Sequence, residues 1–395
     1  MRIHCLGGAA LLALAISTAA LAADPIMIGV LLPTTGGDVL QGKQEMDGMQ
    51  LALREAGGKV GDRPVELVPE DDASNPGVGV QKARKLLTSD QVDVMTGFFN
   101  SGVTLAVTQL TSARKVPAVI GNASANALTG DKCSPWVFRL SFSNSQVADP
   151  FGPWLVKRGM KRIFIIASDF VTPRELANSF RQTFEAAGGQ IVGEAFAPFG
   201  QTNDYGPYLS QARTANPDAI YGIFYGAEAI LFTKQYASFG LKDKIPLVAT
   251  LGTTSPALRQ AQGDSVVGTI TSLNYIPELD TPENKAFQKA YQDAYSTPAS
   301  EFAVMGYDSM RFILVGLQKL NGRTDDKIAL QKALTEVKLT GPRGPMSIDP
   351  KTNHVVQNIY IVQTVKDGDR TMFKLLDTIP QVSQSADACH MQPPG

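Results

Sequence analysis

Val94-Met95-Thr96-Gly97-Phe98-Phe99-Asn100-Ser101-Gly102-Val103-Thr104 decides how the rest of the chain is read. Its first half is apolar and β-branched, as in a strand covered on both faces, and it runs out at Phe99. Asn100, Ser101 and Gly102 are turn and N-cap residues, and residues 103–114 can continue as a helix. The polar loop therefore lies where the free N–H groups of a helix start point, among short hydroxyl and amide side chains. Such a loop suits a small anion, for example a carboxylate. A capped βα turn with no ligand needs the same residues, so the stretch alone leaves both readings open.

The flanking sequence repeats the pattern. Upstream, residues 25–32 (PIMIGVLL) form an apolar run, followed by the loop 33–37 and a helix carrying Met46, Met49, Leu53 and Ala56 up to Gly57-Gly58. A second strand at 64–70 leads through Asp71-Asp72 into a helix opened by Asn75 and Pro76. Downstream, the strand 116–120 precedes the loop 121–126 (GNASAN). The alternation restarts at 161–167 (KRIFIIA), with strands at 191–195, 218–225 and 245–250. Two successive βα runs predict an α/β fold of two Rossmann-like lobes with parallel sheets, although there is no strict sequence repeat. Residues 282–295 and 304–320 read as helices, and 355–365 with 371–376 as a late antiparallel hairpin. Ligands of such sheets sit in the crevice at the carboxyl ends of the strands.

The chain of 395 residues, 44% hydrophobic, is long enough for two full cores. A formal net charge of −1 points to neither nucleic acid nor an anionic membrane surface as a partner. Residues 1–22 read as a signal peptide: Arg2 as the basic start, an apolar run over 6–21, and Ala20-Leu21-Ala22 as the cleavage site. No second long apolar run follows, so the expected product is an exported, soluble protein. Cys5 leaves with the signal. Cys133 and Cys389 remain in an oxidising compartment, and a disulfide joining the C-terminal tail to the first lobe is expected, with two free buried thiols as the alternative. Two cysteines are too few for a zinc cluster, and no cofactor or metal is expected.

Signals of catalysis are poor. His354 is expected in a loop and His390 in the tail, both at the surface. No H-E-x-x-H, G-x-S-x-G or P-loop occurs, and Gly77-Val78-Gly79 lacks the third glycine of a dinucleotide fingerprint. The acidic run Glu70-Asp71-Asp72 is expected to be a solvated loop or a helix cap. The chain does not read as an enzyme.

These residues together resemble the type I periplasmic binding proteins that serve branched-chain amino-acid ABC importers. The likeness covers essentially the whole mature chain. It rests on I-G-V-L-L-P-x-x-G (28–36), E-x-x-G-x-x-L-A-x-x-x-A-G-G (45–58), the strand ending in Glu70-Asp71-Asp72, V-P-A-V-I-G-N-A-S (116–124), the strand end at Tyr221 to Tyr225 and the helix around Tyr307-Asp308. The resemblance implies two lobes joined by a three-segment hinge, with 23–141 and 272–342 in lobe 1, 142–271 and 343–380 in lobe 2, and a tail (381–395) packing on lobe 1. It further implies a periplasmic, non-enzymatic and monomeric receptor that closes on its ligand by hinge motion and delivers it to a membrane permease. Carried over by position, the ligand carboxylate falls to Phe99, Asn100 and Ser101 and to Asn122, Ala123 and Ser124 of the next loop. Gln41 covers the ligand. Thr172 stands where members often have tyrosine, Tyr225 matches a ligand-facing tyrosine, and Phe302 and Tyr307 come near the cleft or pack in the core.

One departure bears on the ligand. Amino-acid-binding members carry an acid after the strand matching 245–250, to pair with the ligand ammonium; here the position is Leu251. Enclosing an ammonium without a counter-charge costs several kcal/mol, unless Glu228 or Asp169 compensates. Burying an aromatic ring of about 150 Å² contributes roughly 4 kcal/mol. Phe98, Phe99, Phe170, Phe224 and Tyr225 gather at the strand ends, about half of them expected to point into the core. The expected ligand is thus a small organic acid without an amine, a benzoate or cinnamate derivative first. A branched-chain or other amino acid, and a sensor module reporting to a signalling partner, are the alternatives.

Overall fold

The computed structural model describes residues 24–394, so the expected signal peptide lies outside the described residues. The strands are β1 (Ile26–Leu32), β2 (Lys59–Val60), β3 (Arg63–Asp71), β4 (Val94–Gly97), β5 (Ala118–Ile120), β6 (Val137–Arg139), β7 (Arg162–Asp169) and β8 (Gln190–Pro198). They continue with β9 (Ala219–Ile223), β10 (Leu247–Ala249), β11 (Ile270–Leu273), β12 (Lys338–Gly341), β13 (Gly344–Asp349), β14 (His354–Asp367) and β15 (Arg370–Val382). Their order is β2-β3-β1-β4-β5-β6-β14-β11-β10-β9-β7-β8. Within it, β3-β1-β4-β5-β6 and β8-β7-β9-β10-β11 are two parallel sets, one per lobe. β14 touches β6 through the single pair His354–Arg139, then runs antiparallel to β11 over Tyr360–Gln363, and so passes from one lobe to the other.

Each parallel set has a core on both faces, which is why its strands read as continuous apolar runs. Along β1, Ile26, Ile28, Val30 and Leu32 join one core while Leu31 joins the opposite one. In the second lobe, Ile163, Ile165 and Ala167 face one core and Phe164 and Ile166 the other. Helices Val39–Glu55 and Glu301–Gln318 cross in near-backbone contact. A Cβ at Gly48 would lie 2.0 Å from the Ala303 carbonyl oxygen, so only glycine allows the approach. The late antiparallel hairpin expected over 355–365 and 371–376 is β14 and β15.

Two expectations change. His354 is the first residue of β14 and fully buried, not a surface loop residue, because it pairs between β6 and β13 and takes a hydrogen bond from Arg139. Asp72 is also fully buried rather than solvated; its Oδ1 accepts from Ser74 N at 2.8 Å. Of the two places open to Tyr307 it takes the core: its ring lies 4.7 Å from that of Phe287 and its hydroxyl donates to Glu55 at 2.5 Å.

Candidate functional site

The decisive stretch folds as β4, two left-handed residues, and a helix start. Gly97 (φ +94°) must be glycine, since a Cβ there would lie 2.5 Å from the Leu31 carbonyl oxygen. Phe98 follows at φ +66° although it is a fully buried phenylalanine, a conformation costing on the order of 1–3 kcal/mol that the surrounding packing holds. The turn brings the chain abruptly into the helix Ser101–Ala113. Asn100 caps that helix, its side-chain oxygen accepting from Gly102 N (2.8 Å) and Val103 N (3.2 Å). The cap reading and the anion reading are compatible: the amide oxygen is used on the helix, while the N–H₂ end is the half with protons to give a carboxylate.

The loop after β5 is stitched to this one. Gly121 N donates to Gly97 O (2.8 Å) and Ala123 N to Phe98 O (2.9 Å). The Asn122 side chain donates to Phe99 O at 3.1 Å. Ser101 Oγ accepts from both Ser124 N and Ala125 N at 3.2 Å, which leaves its own proton for another acceptor. Phe99, Asn100, Ser101, Asn122 and Ser124 are all half-buried, while Ala123 is buried beneath them. The structure thus brings the six loop residues into one rim at the strand ends of lobe 1.

From above, Gln41 is half-buried on the first helix, with a buried side-chain oxygen lacking a hydrogen-bond partner. The β1 loop beneath it is fixed by Asp71, which accepts from Thr34 N and Thr35 N and from the Thr35 hydroxyl. Burial opposes ionisation of Asp71, but the bonds from Thr35, Thr34 and Ala73 outweigh it and hold the carboxyl down at about 2.

Lobe 2 carries aromatic rings at its own strand ends. Of the five rings gathered at the strand ends, Phe98 and Phe224 are fully buried in the cores, whereas Phe99, Phe170 and Tyr225 are half-buried. Phe170 lies 5.6 Å from Tyr225 and 4.7 Å from Phe199, and on the opposite side Phe99 lies 5.6 Å from Phe302. Burial raises the Tyr225 hydroxyl pKa, so it stays a neutral donor. Thr172 is half-buried at the start of helix Val171–Ala186. Leu251, in the short helix Leu251–Thr254, packs against the same lobe-1 core that Phe99 borders.

Residues 25–369 match the family model described as periplasmic binding protein. The chain belongs to the periplasmic binding protein family. It is 30% identical over 369 residues to the Leu/Ile/Val-binding protein homolog 6 of Brucella melitensis, covering 92% of this chain and 94% of the relative. Among solved structures, an ABC transporter substrate-binding protein from Sphaerobacter thermophilus is 33% identical with a TM-score of 0.89, covering 92% of this chain and 100% of that one. A solute-binding protein of an ABC transporter from R. palustris, solved with 4-hydroxybenzoate, is 30% identical with a TM-score of 0.83, covering 91% and 98%. Members of this family are solute receptors of the periplasm rather than enzymes. No helix among the described residues is long and apolar enough to cross a membrane.

Seen as a periplasmic binding protein, the chain has contacts between and within its lobes that sequence reasoning missed. The Glu175 carboxylate on lobe 2 accepts from Asn126 N at 3.2 Å and from the Asn144 amide at 2.6 Å. On the other flank, the Ser255 hydroxyl donates to Glu301 at 2.8 Å. Arg139, fully buried at the end of β6, donates to the Ala125 carbonyl at 2.6 Å. A charged residue closing a buried strand was the one available signal for Arg139; nothing local marks Glu175 or Glu301. The disulfide Cys133–Cys389 is present, with an S–S distance of 2.09 Å.

Proposed function

We propose that this periplasmic binding protein captures a small aromatic carboxylate between its lobes and hands it to the membrane permease of an ABC importer. In this reading the acid group meets the lobe-1 rim: the N–H groups at the helix start, Asn100, Ser101, Asn122 and Ser124. The ring lies between Phe99 and the lobe-2 wall of Phe170 and Tyr225, with Gln41, Thr172 and Leu251 around it. The lobes move about the hinge segments expected from the sequence.

The observation that carries the reading is the apolar Leu251 against lobe 1, with Glu228 and Asp169, the two acids that could have replaced it, both engaged elsewhere. Both oxygens of Glu228 are engaged, one accepting from Ser168 Oγ (2.5 Å) and the other from Gly200 N (2.6 Å). Asp169 is paired with Arg174 at 2.6 Å. An ammonium beside Leu251 would draw no free counter-charge from either of these two acids, whereas a ring gains from burial. The R. palustris protein solved with 4-hydroxybenzoate supports the same ligand class.

A second reading, a branched-chain amino acid, is favoured by the Brucella relative's name and by Glu301. That carboxyl is buried between Ser255 and the helix start beside Phe302, and burial raises its pKa despite the Ser255 bond and the charge of Arg259.

The test is a thermal-shift screen of the unfolded, ligand-stripped and refolded mature protein. Benzoate, 4-hydroxybenzoate and cinnamate are set against leucine, isoleucine and valine. A ligand at about 100 times its dissociation constant adds about 2.7 kcal/mol of stability. Shifts with the aromatic acids alone are expected. Shifts with leucine alone would overturn the aromatic reading and direct attention to Glu301.

A further inference from the structure

We infer that the C-terminal tail is a working part of the binding site, with Gln384 and Arg139 as positioning residues for the loop 123–126. The inference rests on the reading above in one respect, that Ser124 of this loop meets the ligand carboxylate.

Arg139 is a buried cation held by neutral acceptors. Its Nη1 donates to Ala125 O (2.6 Å), Nε to His354 Nδ1 (3.0 Å), and Nη2 to Thr129 Oγ1 and Gln384 Oε1. Burial pushes its pKa down to about 9, opposed by the charge of Glu175 on the facing lobe. A guanidinium in such a place is tolerated only while its acceptors stay in position, so whatever fixes those acceptors also fixes the loop.

Gln384 does this at both ends. Its side-chain oxygen takes Arg139 Nη2 and the Thr129 hydroxyl (3.0 Å), and its Nε2 donates to Asn126 O (3.0 Å). The peptide unit between Ala125 and Asn126 thus has its carbonyl on Arg139 and its N–H on Glu175 of lobe 2, while Ser124 N and Ala125 N rest on Ser101. The loop is pinned from the lobe-1 rim, from the facing lobe and from the tail. The tail is itself anchored by Gln146 Nε2 donating to Val382 O (2.8 Å) and by Cys389 bonded to Cys133. If the tail served only to staple lobe 1, the disulfide would suffice; a buried glutamine bracketing the loop and its cation is a second function.

The experiment uses the mature chain with its disulfide intact, as wild type, Gln384→Ala and Gln384→Glu. Hydrogen exchange of the amides at 124–126 is read in the ligand-free protein. Affinity is read by calorimetry with whichever of 4-hydroxybenzoate and L-leucine shifts the wild-type melting point. Gln384→Ala is expected to quicken exchange at 124–126 and weaken affinity about tenfold, as for loss of a hydrogen bond to a charged group. Exchange in β7 should not change. Gln384→Glu keeps the acceptor for Arg139 but loses the donor to Asn126 O, so it should recover only part of the loss. Unchanged exchange at 124–126, or a uniform rise along the chain, would overturn the inference. If the wild type binds neither probe, the functional reading fails before any variant is made, and exchange at 124–126 still decides the role of the tail.

Discussion

Glu45 presses one carboxylate oxygen onto Gly121: a Cβ at Gly121 would lie 2.1 Å from Glu45 Oε1. The carboxyl is fully buried directly under the proposed ligand rim, and neither oxygen has a hydrogen-bond partner. Burial, with the charge of Asp72 added, raises its pKa to about 8. The folded chain therefore keeps a proton that the unfolded chain, titrating near about 4.3, has lost. This stability is fully present below the unfolded pKa and is lost as the pH rises through about 8. Asp149, raised by burial to about 7, acts in the same sense. His354, held neutral by burial and by Arg139, acts oppositely below about 6.5. Between pH about 6.5 and 8.5 the wild type is expected to lose about 1–2 kcal/mol more than Glu45→Gln in urea unfolding. Parallel pH slopes would mean that Glu45 is already ionised in the folded chain.

The same helix gives a packing prediction. A Cβ at Gly306 would lie 1.9 Å from the Glu45 carbonyl oxygen, backbone that cannot swing away. Gly306→Ala is expected to cost about 3 kcal/mol or more, or to abolish folding, because helices Val39–Glu55 and Glu301–Gln318 must separate. Gly37→Ala is the control: a Cβ there meets nothing within 4 Å, and its effect should stay within about 0.5 kcal/mol. Equal urea midpoints for the two variants would contradict the close crossing.

Much of this was legible because the signals are local. A buried strand, a two-residue cap and a helix start occupy eleven consecutive positions around Gly97. The division of Phe98 and Phe224 inward from Phe99, Phe170 and Tyr225 was expected in proportion, though not by residue. What was illegible depends on partners far along the chain. His354 reads as a polar residue after a turn, and only its pairing with Arg139, 215 residues away, makes it interior. Glu45 lies beside the apolar helix positions Met46 and Met49, and only helix Glu301–Gln318, far on in the chain, packs against it and buries it. Asp72 looks solvated beside two other acids; the turn through Ser74 closes over it.

Reduction tests the staple. Cys133 and Cys389 are 256 residues apart, so their bond closes most of the mature chain into one loop. Constraint of the unfolded state on that scale is worth typically 2–4 kcal/mol. The urea midpoint is expected to fall in reductant, and the oxidised protein should show no free thiol by mass spectrometry. An unchanged midpoint would mean that the tail peels off before global unfolding.

Ser101 separates the ligand reading from the empty-turn reading. Its oxygen accepts from Ser124 N and Ala125 N, and its proton is available to an anion lodged at the helix start. In Ser101→Ala two half-buried N–H groups lose their acceptor, which water partly replaces, so stability should fall by only about 1 kcal/mol. Ligand affinity should fall further, by about 1–3 kcal/mol, because a bond to a charged group is lost and the two loops no longer move as one. Calorimetry with the ligand found in the thermal screen, beside urea unfolding of the same variant, gives both numbers. A loss of affinity equal to or smaller than the loss of stability would return this turn to a helix cap and shift the carboxylate to Asn122 and Ser124. A larger loss of affinity places the acid at the helix start, where the N–H groups of helix Ser101–Ala113 add their partial positive charge to the bond.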